Sequence, residues 1–291
     1  MTKHRIDVTL RNSEQWILSN AKGQTYLIQA SWPLNWRDKA PLEAKEVPII
    51  YIMDGNALFL TATEAAWRRA SGPHYSGGGL VVAIGYDLPQ EKLYSPSRGY
   101  DLTPPDGTEK DVFGPVGGAD EMLDFMTNTV FPSVLERFPD VTFGRRALFG
   151  HSYGGLFALH ALFKRPRLFD CYIASSPSLY WHDDFIFSEQ EEYEKEPDEG
   201  NSGAVVMLYY GELEAHPKQW HDQTDEAFER RKKMLEGFKF EENTHAMYEK
   251  LRASPRVRDV HLRVYSDEDH TSVMACALSR SLTTFFEDWA Y

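Results

Sequence analysis

Ser152 stands between two glycines in Gly150-His151-Ser152-Tyr153-Gly154, the Gly-x-Ser-x-Gly spacing of a nucleophile elbow. A serine hydroxyl is a poor nucleophile at neutral pH. It needs a base beside it, a group that orients the base, and N–H donors for the oxyanion. Lacking a Cβ, Gly150 and Gly154 let a strand and a helix approach closely across a sharp, strained turn that lifts the hydroxyl above the sheet. The spacing carries this meaning only between a strand and a helix. Both are legible: Ala147-Leu148-Phe149 reads as a buried strand, and Leu156, Phe157, Leu159, His160, Leu162 and Phe163 recur at helical spacing up to Pro166.

In an open sheet, groups that act together gather at the carboxyl ends of the strands. The partners of Ser152 are therefore sought just after strand ends. His270 follows the last apolar run by the short loop 266–269 and precedes a helix, which makes it the candidate base. His151 reads as a packing or substrate-facing residue, and His216, His221 and His245 as solvent-facing. Glu214, three residues past Gly211, has room to bend back toward His270 and is the favoured acid; Glu212 and Asp267 compete with it. One oxyanion N–H would come from Tyr153, directly after the serine. The other would come from the main chain of Asn56, in the turn Asp54-Gly55-Asn56. Tyr94, Tyr100, Tyr153, Tyr180, Trp181 and Trp220 are candidates for pocket walls, with core packing an equal reading of each.

The elements that must position these groups follow from periodicity. Residues 5–32 alternate apolar and polar positions around the turn Asn20-Ala21-Lys22-Gly23, which predicts an antiparallel hairpin at a sheet edge. Residues 47–53, 80–85, 171–175, 204–210 and 260–265 are apolar runs of strand length; those covered on both faces read as continuous. Helices are predicted over 57–70, from Gly118 to Phe131, after the elbow, and over 271–289. Residues 86–116, with five prolines, form a long irregular segment of the kind that carries function. The acidic run 188–199 reads as a solvated loop, and 218–252 as two surface helices or a mobile cover. Strands alternating with helices predict an α/β fold with a mostly parallel central sheet, an antiparallel N-terminal edge and helices on both faces. A single domain over 1–291 is expected, with 182–252 as charged insertions or a lid within it.

Among 291 residues, 42% are hydrophobic, enough for a sizeable core. A net charge of -13 disfavours nucleic acid and anionic membranes as partners. No apolar run approaches membrane-spanning length. The opening residues 1–7 contain no apolar secretory segment. Cys171 and Cys276 fall in apolar stretches and read as reduced core residues. A cytoplasmic location is expected.

Several segments together resemble the esterase D family of α/β-hydrolases. Residues 47–56, Val-Pro-Ile-Ile-Tyr-Ile-Met-Asp-Gly-Asn, are similar to its strand ending in Asp-Gly. Gly150-His151-Ser152-Tyr153-Gly154-Gly155 and Glu268-Asp269-His270-Thr271-Ser272-Val273 match its nucleophile and histidine motifs. Arg98-Gly99-Tyr100-Asp101-Leu102-Thr103-Pro104 and Ser175-Ser176-Pro177-Ser178-Leu179-Tyr180-Trp181 resemble segments of its siderophore-esterase branch. The likeness covers most of residues 10–290. It implies an α/β-hydrolase fold, Ser152 as nucleophile, His270 as base, Asn56 and Tyr153 as oxyanion donors, and Arg98 as a substrate contact. In that branch the acid varies, and some members work with a Ser–His pair, which leaves Glu214 the least secured member.

The resulting expectation is a serine ester hydrolase that needs no cofactor or metal and acts on a small-molecule ester, extending to a ferric siderophore. A tris-catecholate iron complex is trianionic, whereas a tris-hydroxamate complex is near neutral. A strongly acidic surface repels the former at long range, within a screening length of roughly 8 Å. This favours a hydroxamate of the triacetylfusarinine type over a catecholate trilactone, unless a local cation such as Arg98 reverses the preference. The rivals are a general carboxylesterase, a thioesterase of the S-formylglutathione hydrolase type, an acyltransferase, or a hydrolase-like protein that binds its ligand without cleaving it.

Overall fold

A computed structural model describes residues 8–43, 45–71, 77–89, 91–111, 114–195 and 203–287. The chain opens with the hairpin β1 (Ser13–Ser19) and β2 (Thr25–Ser31), paired antiparallel from Ser13↔Ser31 to Ser19↔Thr25. The Asn20 side chain closes its turn by accepting from the N–H groups of Lys22 and Gln24. Residues 5–7 of the expected hairpin lie outside the described part.

Next come β3 (Glu46–Met53), α1 (Gly55–Ser71) and β4 (Leu80–Tyr86). The irregular segment that follows contains the short turn α2 (Arg98–Asp101) and a small ribbon, β5 (Lys110–Asp111) with β6 (Gly114–Pro115). A helical stretch follows, α3 (Ala119–Phe125) and α4 (Phe131–Arg137), joined by a π turn at Met126–Val130. Pro132 has no N–H to give the preceding turn and crowds it, so the helix widens there instead of running on regularly. The second half runs β7 (Thr142–His151), α5 (Tyr153–Lys164), β8 (Cys171–Ser175), α6 (Ile186–Lys195), β9 (Ala204–Gly211) and α7 (Glu212–Ala215). It ends with α8 (Asp225–Phe238), α9 (Phe240–Ala253), β10 (Val257–Tyr265) and α10 (Val273–Phe286).

The main sheet has the order β1-β2-β4-β3-β7-β8-β9-β10. The pairs β1–β2 and β2–β4 are antiparallel and all the others parallel. This is the α/β-hydrolase arrangement with its antiparallel N-terminal edge. Side-chain alternation explains its two-sided core. Ile49, Tyr51 and Met53 of β3 face a cluster built with α3, α4 and α5, whereas Ile50 and Ile52 face one built with α1 and α10. In the second cluster α10 seats Leu278, Leu282 and Phe285, all fully buried. Each such side chain contributes roughly 1.5–3 kcal/mol by leaving water.

Two readings of the sequence are corrected. The acidic run is not a solvated loop over its described part, because it forms α6. Ile186, Glu189, Gln190 and Tyr193 recur at helical spacing and are buried. Glu189 is only 2% exposed and pairs with His160 at 2.8 Å, which offsets the cost of burying its charge. Glu196, Asp198 and Glu199 lie outside the described residues. Cys171 is buried, but Cys276 is only half-buried, with its Sγ 3.5 Å from Glu268 Oε1. Among the described residues, no helix is long and apolar enough to cross a membrane.

Candidate active site

Ser152 joins β7 to α5 with φ 59° and ψ -118°. A non-glycine residue held there costs about 1–3 kcal/mol. Three main-chain hydrogen bonds hold it: its N–H donates to Ser175 O at 2.9 Å, and its carbonyl accepts from Leu156 at 3.0 Å and Ser178 at 3.2 Å. A Cβ on Gly150 would lie 1.9 Å from the carbonyl oxygen of Gly154, so only glycine fits there. Gly154 itself has ordinary room, 3.5 Å to its nearest neighbours. The second tight position is Gly155, whose Cβ would lie 3.0 Å from Ser175 O and Pro177 Cα. Crowding at the elbow therefore comes from the chain leaving β8 as well as from the turn itself.

β3, β7, β9 and β10 are mutually parallel members of the sheet, so their carboxyl ends share one rim. Glu214 lies in α7, just past β9, and is 1% exposed. Its Oε1 accepts from Gly211 N at 2.7 Å and from the Ser176 hydroxyl at 2.6 Å. Its Oε2 lies 2.6 Å from Nδ1 of His270, in the loop after β10. Donation from Nδ1 to this carboxylate leaves Nε2 as the ring's acceptor. The competing acids are engaged elsewhere. Glu212 accepts from the N–H of Asp267 at 3.1 Å, and the Asp267 carboxylate pairs with Lys218 in solvent.

The ring of His151, next to the serine, lies 4.6 Å from that of His270 and brings the two loops together. Burial, with His270 and Arg98 nearby, holds the His151 pKa well below the usual imidazole range, so the ring is neutral. It can therefore pack on His270 without opposing a positive charge there. The hydroxyl of Ser152 is hydrogen-bonded to that of Ser178, at 3.3 Å, and not to His270.

The two candidate oxyanion donors occupy equivalent places. β3 and β7 pair in parallel with Ile52 opposite Phe149, and each ends in a left-handed residue, Asp54 (φ 57°) and Ser152 (φ 59°). A helix starts directly after each, and the first N–H groups of a helix have no partner within it. Asn56 and Tyr153 lie in those first turns. The Asn56 side chain is occupied by the main chain of Tyr86, donating at 2.9 Å and accepting at 2.7 Å, so its main-chain N–H is what it offers.

Arg98 grips Asp54 in a two-point ion pair, Nε to Oδ1 and NH2 to Oδ2, both at 2.8 Å. Burial works to lower the Arg98 pKa, but Asp54 outweighs it and the group stays charged. The guanidinium lies 5.4 Å from the ring centre of Tyr94 and 5.3 Å from that of Tyr153. It is therefore beside the elbow, with its charge already answered by a carboxylate.

Of the aromatic candidates, Tyr94, Tyr153 and Tyr180 reach this region. Tyr180 stacks on Phe238 at 4.1 Å, and Phe240 lies 5.6 Å from the His270 ring, so the corner between α8 and α9 borders the site. Tyr100 packs over Gly118 and donates to Glu121, Trp181 is buried against His182, and Trp220 lies exposed beside Arg231. Asp54, Ser176 and Ser178 contact site residues; sequence reasoning named the segments that carry them but gave none of the three a role. For the two serines a further signal is topological: β8 neighbours both β7 and β9, so the residues leaving it must pass between their ends.

The chain matches the profile of the Esterase family over residues 19–253. It is 49% identical to the siderophore triacetylfusarinine C esterase of Aspergillus fumigatus, across 98% of this chain and 96% of that protein. It is 42% identical to the siderophore enterobactin esterase of Emericella nidulans, across 92% of each. Its fold superposes on the siderophore hydrolase EstB from Aspergillus nidulans with a TM-score of 0.93 and 49% identity, covering 99% of both chains.

Proposed function

The chain belongs to the Esterase family and is a carboxylic ester hydrolase, and from this premise we propose that it cleaves the ester bonds of a ferric siderophore through Ser152. In this reading Ser152 attacks the ester carbonyl, His270 takes the hydroxyl proton on Nε2, and Glu214 orients the imidazole and balances its charge. The main-chain N–H groups of Tyr153 and Asn56 receive the oxyanion. The alcohol leaves with the proton held by His270, and a water deprotonated by the same ring releases the acid. The observation that carries this is the 2.6 Å contact between His270 and buried Glu214 on the rim where the Ser152 elbow emerges.

The relatives' substrates define the class, and a hydroxamate of the triacetylfusarinine type is favoured over a catecholate trilactone. The net charge of -13 supports that choice. So does the pairing of Arg98 with Asp54, which leaves little free positive charge beside the elbow to draw in a trianionic complex. The reading extends to an intracellular location, supported by two free thiols, and to a small molecule, not nucleic acid, as partner. Incubation with ferric triacetylfusarinine C and with ferric enterobactin, followed by mass analysis, tests it. Ester cleavage of the hydroxamate complex is expected, and is lost in a folded Ser152→Ala variant. Cleavage of the catecholate alone would reject the substrate preference; undiminished turnover by Ser152→Ala would reject the site.

A further inference from the structure

β8 lies between β7, which leads into Ser152, and β9, which leads into Glu214. The chain leaving it threads between nucleophile and acid as Ser175-Ser176-Pro177-Ser178. The three serines are fully buried, and each engages a different neighbour. Ser175 Oγ is 3.1 Å from Nδ1 of His151, Ser176 donates to Glu214 at 2.6 Å, and Ser178 Oγ is 3.3 Å from Ser152 Oγ. The left-handed backbone at Ser176, φ 42°, lets successive side chains diverge toward these targets.

We propose that Ser178 is a positioning residue for the nucleophile: its hydroxyl donates to the oxygen of Ser152 and so directs the Ser152 proton to the opposite side, toward Nε2 of His270. The inference rests on the roles given above to Ser152 and His270. A hydroxyl has one donor and two acceptor positions, so the direction of donation settles where the proton of Ser152 points. Ser152 has one proton, and the reaction sends it to His270, so in the bond between the two hydroxyls Ser178 is the donor. The Ser178 N–H, bonded to the Ser152 carbonyl at 3.2 Å, holds the two residues in register.

During attack the Ser152 O–H bond breaks, an N–H bond forms on His270, and the Ser152 oxygen bonds to the acyl carbon. The Ser178 proton stays on Ser178 throughout. Its hydrogen bond fixes the Ser152 oxygen and leaves the other lone pair aimed at the acyl carbon, so its effect falls on the chemical step and not on binding.

Ser178→Ala and Ser178→Cys test this, with kcat and KM measured separately and the phosphonylation of Ser152 by a fluorophosphonate timed. Ser178→Ala is expected to lower kcat about 10- to 100-fold, at or below the roughly 100-fold that is the lower end for losing one oxyanion donor, because Ser178 orients the nucleophile and does not receive the developing charge. KM should stay within about twofold, and phosphonylation should slow in step with kcat. Ser178→Cys, which keeps the shape and offers only a weak donor, should lower kcat several-fold with KM unchanged. Wild-type kcat in folded Ser178→Ala, or a reduced kcat with an unchanged phosphonylation rate, would overturn the proposal. Should Ser178→Ala fail to fold, wild-type kcat in Ser178→Cys overturns it instead. Full activity in Ser152→Ala marks the separate failure of the catalytic reading beneath it.

Discussion

Replacing Glu214 by glutamine tests the least secured member of the site while keeping its shape. The carboxylate receives three hydrogen bonds, from Gly211 N–H, the Ser176 hydroxyl and His270 Nδ1. The Gly211 N–H is fixed in the main chain and requires an acceptor, so the single oxygen of glutamine turns to it and to Ser176. The amide NH2 then faces His270. Nδ1 must become the acceptor, and the ring proton moves to Nε2, where it confronts the Ser152 hydroxyl that needs a base. The charge is lost as well. A carboxylate and an imidazolium with centres about 4 Å apart attract by about 4 kcal/mol at an effective dielectric near 20. That energy is realised only as the ring becomes charged, so its loss lowers kcat by roughly a thousandfold and leaves KM nearly unchanged. The fold is kept, because the donors that glutamine cannot accept are few; about 1–3 kcal/mol of stability is at risk. Steady-state kinetics on an activated ester, with thermal unfolding as the control, reads both quantities. Glu212→Gln and Asp267→Asn, whose side chains point elsewhere, should remain within threefold of wild type, roughly the scatter of a surface change. A folded Glu214→Gln protein with kcat within tenfold of wild type would refute the reasoning and leave Ser152 and His270 acting as a pair.

Two further outcomes are expected of the fold around the site. Gly150→Ala should yield little folded protein, since its Cβ would collide with the main chain of Gly154 at 1.9 Å, whereas Gly154→Ala, with 3.5 Å of room, should fold with a melting temperature close to wild type. Asp101 is 3% exposed, and burial lifts its pKa from 3.8 to about 6. The folded state therefore binds this proton more tightly than the unfolded chain, and stability from this group is lost as pH rises from about 4 through about 6. At about 1.4 kcal/mol per pKa unit the full difference is about 3 kcal/mol, and Asp101→Asn, which does not titrate, should gain stability relative to wild type by up to that amount between pH 4 and pH 7.5. Denaturant titrations of both proteins at the two pH values measure it; an unchanged difference would show that Asp101 is not held protonated.

The elements were legible from sequence because each depends on its own residues. The run Val47–Met53 reads as a strand since burial on both faces leaves no polar alternation. The elbow reads as a turn because Gly150 leaves no room for a side chain. Where long-range contact decided the outcome, local reading failed. The acidic run looked solvated because nothing nearby in sequence announces that His160, in another helix, faces Glu189. Three carboxylates lay close enough along the chain to approach His270, and sequence spacing ranks them only weakly. The course of α7 turns Glu214 inward and leaves Asp267 in solvent. The serines after β8 contact the site because the sheet order puts β8 between β7 and β9, which no spacing within residues 175–178 encodes. Residue types and intervals thus determined which groups had the chemistry and which segments could be strand or helix. Strand order and loop return, set by packing between residues far apart in the chain, decided which of those groups touch.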